Sequence, residues 1–154
     1  MTKRGGVPVD GIDTAIVAEL KQNARASVSR IGKRVNLSVP AVAERIRKLE
    51  AAGIIAGYTV RLDREKAGLA LLAFVLVRVD GTENIRAFRD TVTRYGRVLE
   101  CHHIAGAYDY LLKVAAEDMQ TLETLISNTL KTVPGVAGTN TMIVLKTLKE
   151  EMNA

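Results

Sequence analysis

Apolar residues recur every three or four positions through the first 53 residues and fall into short, nearly continuous runs beyond them. Ile12, Ile16, Val17 and Leu20 share a stripe and predict a helix over 13–22, with Asp10 or Asp13 near its positive end. Asn23, Ala24 and Arg25 end it. A second helix is predicted over Val28 to Val35, with Ser27 placed to accept its first unpaired N–H. Asn36 and Leu37 form the turn. A third helix follows from Val39 to Ala52, with Ser38 as N-cap, Pro40 in its first turn and Gly53 just past its end. Val39, Val42, Ile46 and Leu49 share one face of it, and Leu37 joins them as candidate core. Its other faces carry Glu44, Arg45, Arg47 and Lys48. The β-branched run from Ile54 to Val60 predicts a short strand or hairpin, which would make the unit a winged helix-turn-helix.

The polar stretch Asp63 to Gly68 marks a boundary, and the periodicity changes beyond it. Leu71 to Val79 predicts a strand buried on both faces. Glu83 to Tyr95 predicts a helix with Ile85, Phe88 and Val92 inward. Arg97 to Ile104 reads as a strand, Gly106 to Asp109 as a tight loop and Tyr110 to Ala115 as a third strand. Glu117 to Val133 predicts a longer helix, stopped by Pro134 and Gly135, and Val136 to Leu148 a last strand. The order is β-α-β-β-α-β, the split unit of a ferredoxin-like sandwich. The fold class is therefore α+β: a helix-turn-helix domain over 9–60, a linker over 61–68 and the βαββαβ domain over 69–150. Two helices cover only one face of a four-stranded sheet, so a second copy is expected on the other.

Charge separates the two halves. Residues 1–68 hold 13 Lys and Arg against 7 Asp and Glu, whereas residues 69–154 hold 9 against 10. A basic module joined to a neutral one points to a polyanion partner for the first half. The single cysteine, Cys101, excludes an internal disulfide framework. The run from Leu69 breaks at Arg78, too soon to cross a bilayer, and the N-terminus lacks the apolar stretch of a secretory signal. The expectation is a cytoplasmic protein without a membrane partner.

A cationic helix carried by a helix-turn-helix has the shape that enters the major groove of double-stranded DNA. Arg45, Arg47 and Lys48 supply the cations, with Arg25, Arg30, Lys33 and Arg34 flanking. Ser38, Pro40, Ala41 and Glu44 occupy the N-terminal half of the third helix, where base contacts concentrate. A dimer would present two such helices to a pseudo-palindromic target. The plainer reading is a solvated helix face.

Gly106-Ala107-Tyr108-Asp109 suggests a small-molecule site: glycine lets backbone N–H groups approach a carboxylate, and Asp109 could receive an ammonium. The plainer reading is a hairpin loop in which Asp109 satisfies turn amides. Cys101, His102 and His103 resemble a metal or nucleophile cluster, but successive strand residues point to opposite faces, so they do not converge. His102 or His103 is placed instead at a subunit interface. No catalytic, metal-binding or cofactor residues are assigned, and an enzyme is not expected.

Four segments, VDGIDTAIVAEL, NARASVSRIGKRVNLSVPAVAERIRKLEAAGIIAGYTVRLD, RVLECHHIAGAYDYLLKV and LKTVPGVAGTNTMIVL, occur in order over residues 9–149. Together they resemble the Lrp/AsnC family of leucine-responsive and asparagine-responsive "feast/famine" transcription regulators. The resemblance implies that the second domain (RAM, or ACT-like) binds a small amino acid and oligomerises, as homodimers assembling to an octamer. It carries Gly106, Tyr108 and Asp109 over as effector contacts, and Thr139 and Thr141 beside them. The chain departs from the family at Arg30, Ile31 and Gly32, where an acidic residue, Leu and Ala are usual; this reads as tuning of DNA contact. The function implied is sequence-specific transcription regulation modulated by an amino acid between C-terminal domains. The alternative is an architectural, nucleoid-type DNA-binding protein that answers to no effector.

Overall fold

The computed structural model describes residues 8–151. The chain divides into two compact units, one running to Arg61 and the other from Leu62 to Glu150. In the first, α1 spans Gly11–Gln22, α2 Val28–Val35 and α3 Val39–Ala51. Helix α1 begins two residues earlier than the apolar stripe indicates, because Asp10 and Asp13 form a reciprocal capping box around its first turn. Ser27 Oγ accepts the Arg30 N–H at 3.2 Å, and Ser38 Oγ accepts that of Ala41 at 3.4 Å. Asn36 turns the chain between α2 and α3 in the left-handed region, at φ 55°. Ile16, Ile31, Val42 and Leu49 form the buried centre, ringed by Ile12, Leu20, Leu37 and Ile46.

Gly32 is buried in α2, and a Cβ there would lie 2.7 Å from the Leu37 carbonyl oxygen. The glycine thus makes room for the turn. The expected wing is absent: Ile54 to Val60 forms no strand pairing. Ile54 and Ile55 donate back to the Leu49 carbonyl, closing the end of α3, and Val60 is 78% exposed. A strand needs a partner ladder, and the described residues of this unit offer none.

In the second unit, β1 (Leu71–Val79), β2 (Val98–His103), β3 (Tyr110–Ala116) and β4 (Val136–Ile143) form one antiparallel sheet in the order β2-β3-β1-β4. Helix α4 (Ile85–Arg94) follows a single 3-10 turn at Thr82–Asn84. Alternate residues Ala73, Val75, Val77 and Val79 of β1 pack with Tyr110, Leu112 and Val114 of β3 and with Phe88 and Val92 of α4. Strand β1 is not sealed on both sides, as its apolar run suggests. On the helix-free side Phe74 and Leu76 are half-buried and Arg78 is exposed. The central β1–β3 pairing is regular, whereas β1–β4 slips at Arg78/Val79 and β2–β3 at Val98/Glu100.

The second long helix is less uniform than its pattern suggests. Helix α5 proper is Met119–Thr124, continued by a π turn at Leu125–Thr129 and a 3-10 turn at Leu130–Thr132. Leu125 and Leu130 are both fully buried yet five residues apart. An α-helix would turn them to different faces, and the wider i→i+5 turn brings both to the sheet. Strand β4 stops at Ile143, short of the predicted Leu148: Ile143 pairs with Ala73, near the start of β1, and Val144 donates to the Leu72 carbonyl at 2.9 Å, which leaves too little of β1 to pair as far as Leu148.

The chain beyond β4 is tied back by charge. Glu150 accepts from Lys113 Nζ at 2.5 Å and from Arg64 Nη1 at 2.6 Å, and Lys113 also donates to Glu100 at 3.1 Å. Lys113, then Arg64, hold the Glu150 carboxyl down at about 2, against 4.5 for a solvated glutamate. A depressed carboxyl stabilises the fold fully above its unfolded value and progressively less as pH falls toward its folded one. Stability should therefore decline between about pH 4.5 and 2 in part through this residue. In thermal unfolding across that range, Glu150→Gln should be less stable than the wild type near neutral pH, with the difference shrinking as the acid limit is approached.

Candidate DNA-binding surface and effector site

Helix α3 presents its charged residues in two directions. Val42, Arg45 and Leu49 stand three and four positions apart, on the side that faces the bundle. Arg45 is accordingly turned toward α1 and only part-exposed. Its Nη1 donates to Asp13 Oδ1 at 2.7 Å and Asp10 Oδ2 at 2.8 Å, and these acids raise the Arg45 pKa further above its ordinary value. Among the candidate DNA-contacting residues, Arg45 is thus the one whose guanidinium is engaged by two carboxylates at the start of another helix.

Glu44, Arg47 and Lys48 do face outward. Arg47 donates Nε and Nη2 to the two carboxylate oxygens of Glu44 at 2.9 and 2.8 Å, and Lys48 Nζ lies 3.8 Å from the same group. The Arg47 side chain remains 66% exposed and that of Lys48 64%. Both can exchange Glu44 for another anion at little cost, since exposed pairs contribute little stability. The Arg47 guanidinium also holds the Glu44 carboxyl below its ordinary range. Ser38 and Pro40 are exposed at the start of α3, with Ala41 half-buried beside them. Arg30 and Lys33 are exposed on α2, and Arg34 there reaches Glu19 at 3.4 Å.

In the second unit the candidate effector residues lie toward one end of the sheet, on strands separated by β1. Val77 of β1 pairs with Tyr110 on one side and Thr139 on the other, and Thr141 stands opposite Val75. The loop Gly106 to Asp109 adjoins this end. Gly106 has φ +146° and open space where a Cβ would be. Asp109 also braces the fold, since its Oδ2 accepts the Val79 N–H at 2.8 Å while its own N–H donates to the Val77 carbonyl at 3.0 Å. Tyr108 is half-buried. Across the strands, His103 stacks on Tyr110 with ring centroids 5.1 Å apart, and Arg89 Nε donates to the Tyr110 hydroxyl at 3.0 Å. His102 points to the other face, where Nε2 lies 3.1 Å from Glu100. Cys101 packs against the core, and burial raises its thiol pKa.

Residues 9–50 match the AsnC-type helix-turn-helix domain, and residues 72–154 match the Lrp/AsnC ligand binding domain. The chain belongs to the Lrp/AsnC family. The leucine-responsive regulatory proteins of Klebsiella pneumoniae and Escherichia coli K12 are each 37% identical to it over 150 residues, 96% of this chain and 92% of theirs. A Neisseria meningitidis transcriptional regulator, solved in complex with L-methionine, superposes with a TM-score of 0.91 at 30% identity, covering 94% of this chain and 95% of that one. A feast or famine regulatory protein of Mycobacterium tuberculosis, also complexed with L-methionine, gives a TM-score of 0.88 at 31% identity over 96% and 99% of the two chains. This Lrp/AsnC chain is thus a DNA-binding transcription regulator. No helix among its described residues is long and apolar enough to cross a membrane.

The partnership of Arg45 with Asp10 and Asp13 escapes an inventory of cations on an Lrp/AsnC helix-turn-helix. Two signals point to it: Arg45 shares the Val42–Leu49 stripe, and acids spaced i, i+3 flank the start of α1. The Arg89–Tyr110–His103 stack carries no such signal, because its members are distant in sequence. For the outward surface, Glu44→Gln should release Arg47 and Lys48 and remove a repelling charge. Fluorescence anisotropy at low salt should then show binding to a non-selected duplex tightened about two- to fivefold.

Proposed function

We propose that this regulator reads double-stranded DNA with the outward side of α3 and that a small amino acid, held between C-terminal domains of neighbouring copies, sets its assembly or its DNA affinity. The observation that carries the reading is the joining of a basic helix-turn-helix to a βαββαβ domain, in a chain that superposes over almost its whole length on relatives holding L-methionine. On this reading Arg47 and Lys48 neutralise phosphate, flanked by Arg30, Lys33 and Arg34. Ser38, Pro40, Ala41 and Glu44 lie closest to the bases. The half-covered side of the sheet, with Phe74, Leu76 and Leu111 half-buried and Met142 45% exposed, is closed by a second copy. Pairs of copies then assemble further, to an octamer. The protein works in the cytoplasm without a cofactor.

Asp109 anchors β1 through its Oδ2, so truncation to Ala would disturb the loop as well as any ligand. Asp109→Asn keeps an acceptor for the Val79 N–H and removes only the charge. A thermal-shift series over the twenty amino acids, L-methionine included, should find at least one that raises the Tm of the wild type. Saturation at ~100 times the dissociation constant adds about 2.7 kcal/mol. Asp109→Asn should keep the ligand-free Tm and lose most of that rise, as expected of an ammonium partner. No shift with any amino acid, and no change in assembly size, would support the architectural alternative.

DNA binding is tested separately. Arg47→Ala combined with Lys48→Ala should weaken duplex binding and flatten the dependence of log K on log salt by about 0.9 for each phosphate left unneutralised. Identical affinity and slope in the double variant would remove α3 from the interface.

A further inference from the structure

At the start of α1 every one of four carboxylate oxygens is engaged. Asp10 Oδ1 accepts the Asp13 N–H at 2.8 Å, and Asp13 Oδ2 accepts the Asp10 N–H at 3.2 Å, closing the capping box. The two remaining oxygens, Asp10 Oδ2 and Asp13 Oδ1, both receive Arg45 Nη1. The acids thus cap α1 and grip α3 together. The grip is shielded chiefly on its Asp13 side: that side chain is 13% exposed, against 30% for Arg45 and 50% for Asp10.

Position gives this grip its consequence. Apolar contacts at Val42 and Leu49 hold α3 to the bundle, but such contacts are non-directional and tolerate small rotations about the helix axis. Arg45 lies between them on the same side and is held by two charge-assisted bonds of defined direction. Glu44, Arg47 and Lys48 occupy the neighbouring outward positions, so their aim follows from where Arg45 is pinned. We propose that Arg45, Asp10 and Asp13 are positioning residues that set the rotation of α3 for DNA binding, and that Arg45 itself makes no contact with phosphate. The inference rests on the reading of α3 as the DNA-contacting helix.

The acids give the proposal an unusual sign. Removing a negative charge from a DNA-binding unit strengthens phosphate attraction, yet here neutralising Asp13 loosens the helix and weakens binding. Asp13→Asn suits the test: it keeps an acceptor for the capping box and sets an amide N–H against the guanidinium. Arg45→Met keeps most of the side-chain volume. Full-length chains are compared at a temperature well below each variant's own Tm. The probes are a duplex selected from a random pool by the wild type and a non-selected duplex, each over a series of salt concentrations.

Arg45→Met and Asp13→Asn should each weaken binding to the selected duplex by roughly fivefold or more, a usual scale for coupling to a remote site. The salt slope should stay at its wild-type value, and the non-selected duplex should be affected less. Adding Asp13→Asn to Arg45→Met should cost little further affinity, because the arginine that the acid holds is already gone. A loss in Tm alone, with affinity preserved, would reduce the trio to a fold-stabilising role and overturn the proposal. So would tighter binding by Asp13→Asn, or a slope in Arg45→Met reduced by about 0.9, which would mean that Arg45 itself neutralises a phosphate. Unchanged affinity and slope in the Arg47→Ala, Lys48→Ala variant overturns the helix assignment itself, and the positioning claim with it.

Discussion

Burial of Val42 and Leu49 with Ile16 and Ile31 decides which side of α3 is turned away from solvent, and the rest of the helix-turn-helix follows from that. Once those side chains are inside, helical geometry places Arg47 and Lys48 outside with their partner Glu44. The same geometry turns Arg45, part-exposed, toward the start of α1. The capping box of α1 already holds two carboxylates at that spot, each with one oxygen to spare. A local device for starting one helix becomes the socket for a side chain of another.

Close approach also sets the turn between α2 and α3. The Leu37 amide donates to the Gly32 carbonyl at 2.9 Å, and the Leu37 carbonyl lies where a Cβ at position 32 would be. Glycine weakens a helix interior by about 1 kcal/mol relative to alanine. Here it accommodates a turn of only three residues, Asn36 to Ser38, with Asn36 in the left-handed region. The placement of α3 is thus set against α2 by a missing methyl and against α1 by an arginine.

Periodicity makes most of this architecture legible. The limits of α2 and β1, the caps Ser27 and Ser38, and the order of the βαββαβ unit all stand in the sequence, because each depends on neighbours a few residues away. What the sequence hides is long-range. Ile54 to Val60 has strand composition, but only a partner ladder makes a strand. Residues 117–133 look like one helix, and the π turn arises because Leu125 and Leu130 must reach the same sheet. The basic character of α3 is plain; that Arg45 faces Asp10 and Asp13, while Arg47 faces Glu44, depends on packing between helices. At the sheet end, composition alone singles out Gly106 and Asp109. It does not reveal the bond from the Val79 amide to Asp109, which makes that carboxylate a brace between loop and strand.

The two irregular pairings of the sheet bear on how copies of this chain can meet. Each lies at an outer strand, one between β2 and β3 and the other between β1 and β4, while the middle pairing is even. A bulge twists a strand and spoils the flat, evenly spaced row of amides that an incoming chain would need. Lateral growth into a continuous ribbon is thereby disfavoured at both margins. A strand added at either edge would have to follow that local twist before its amides could pair.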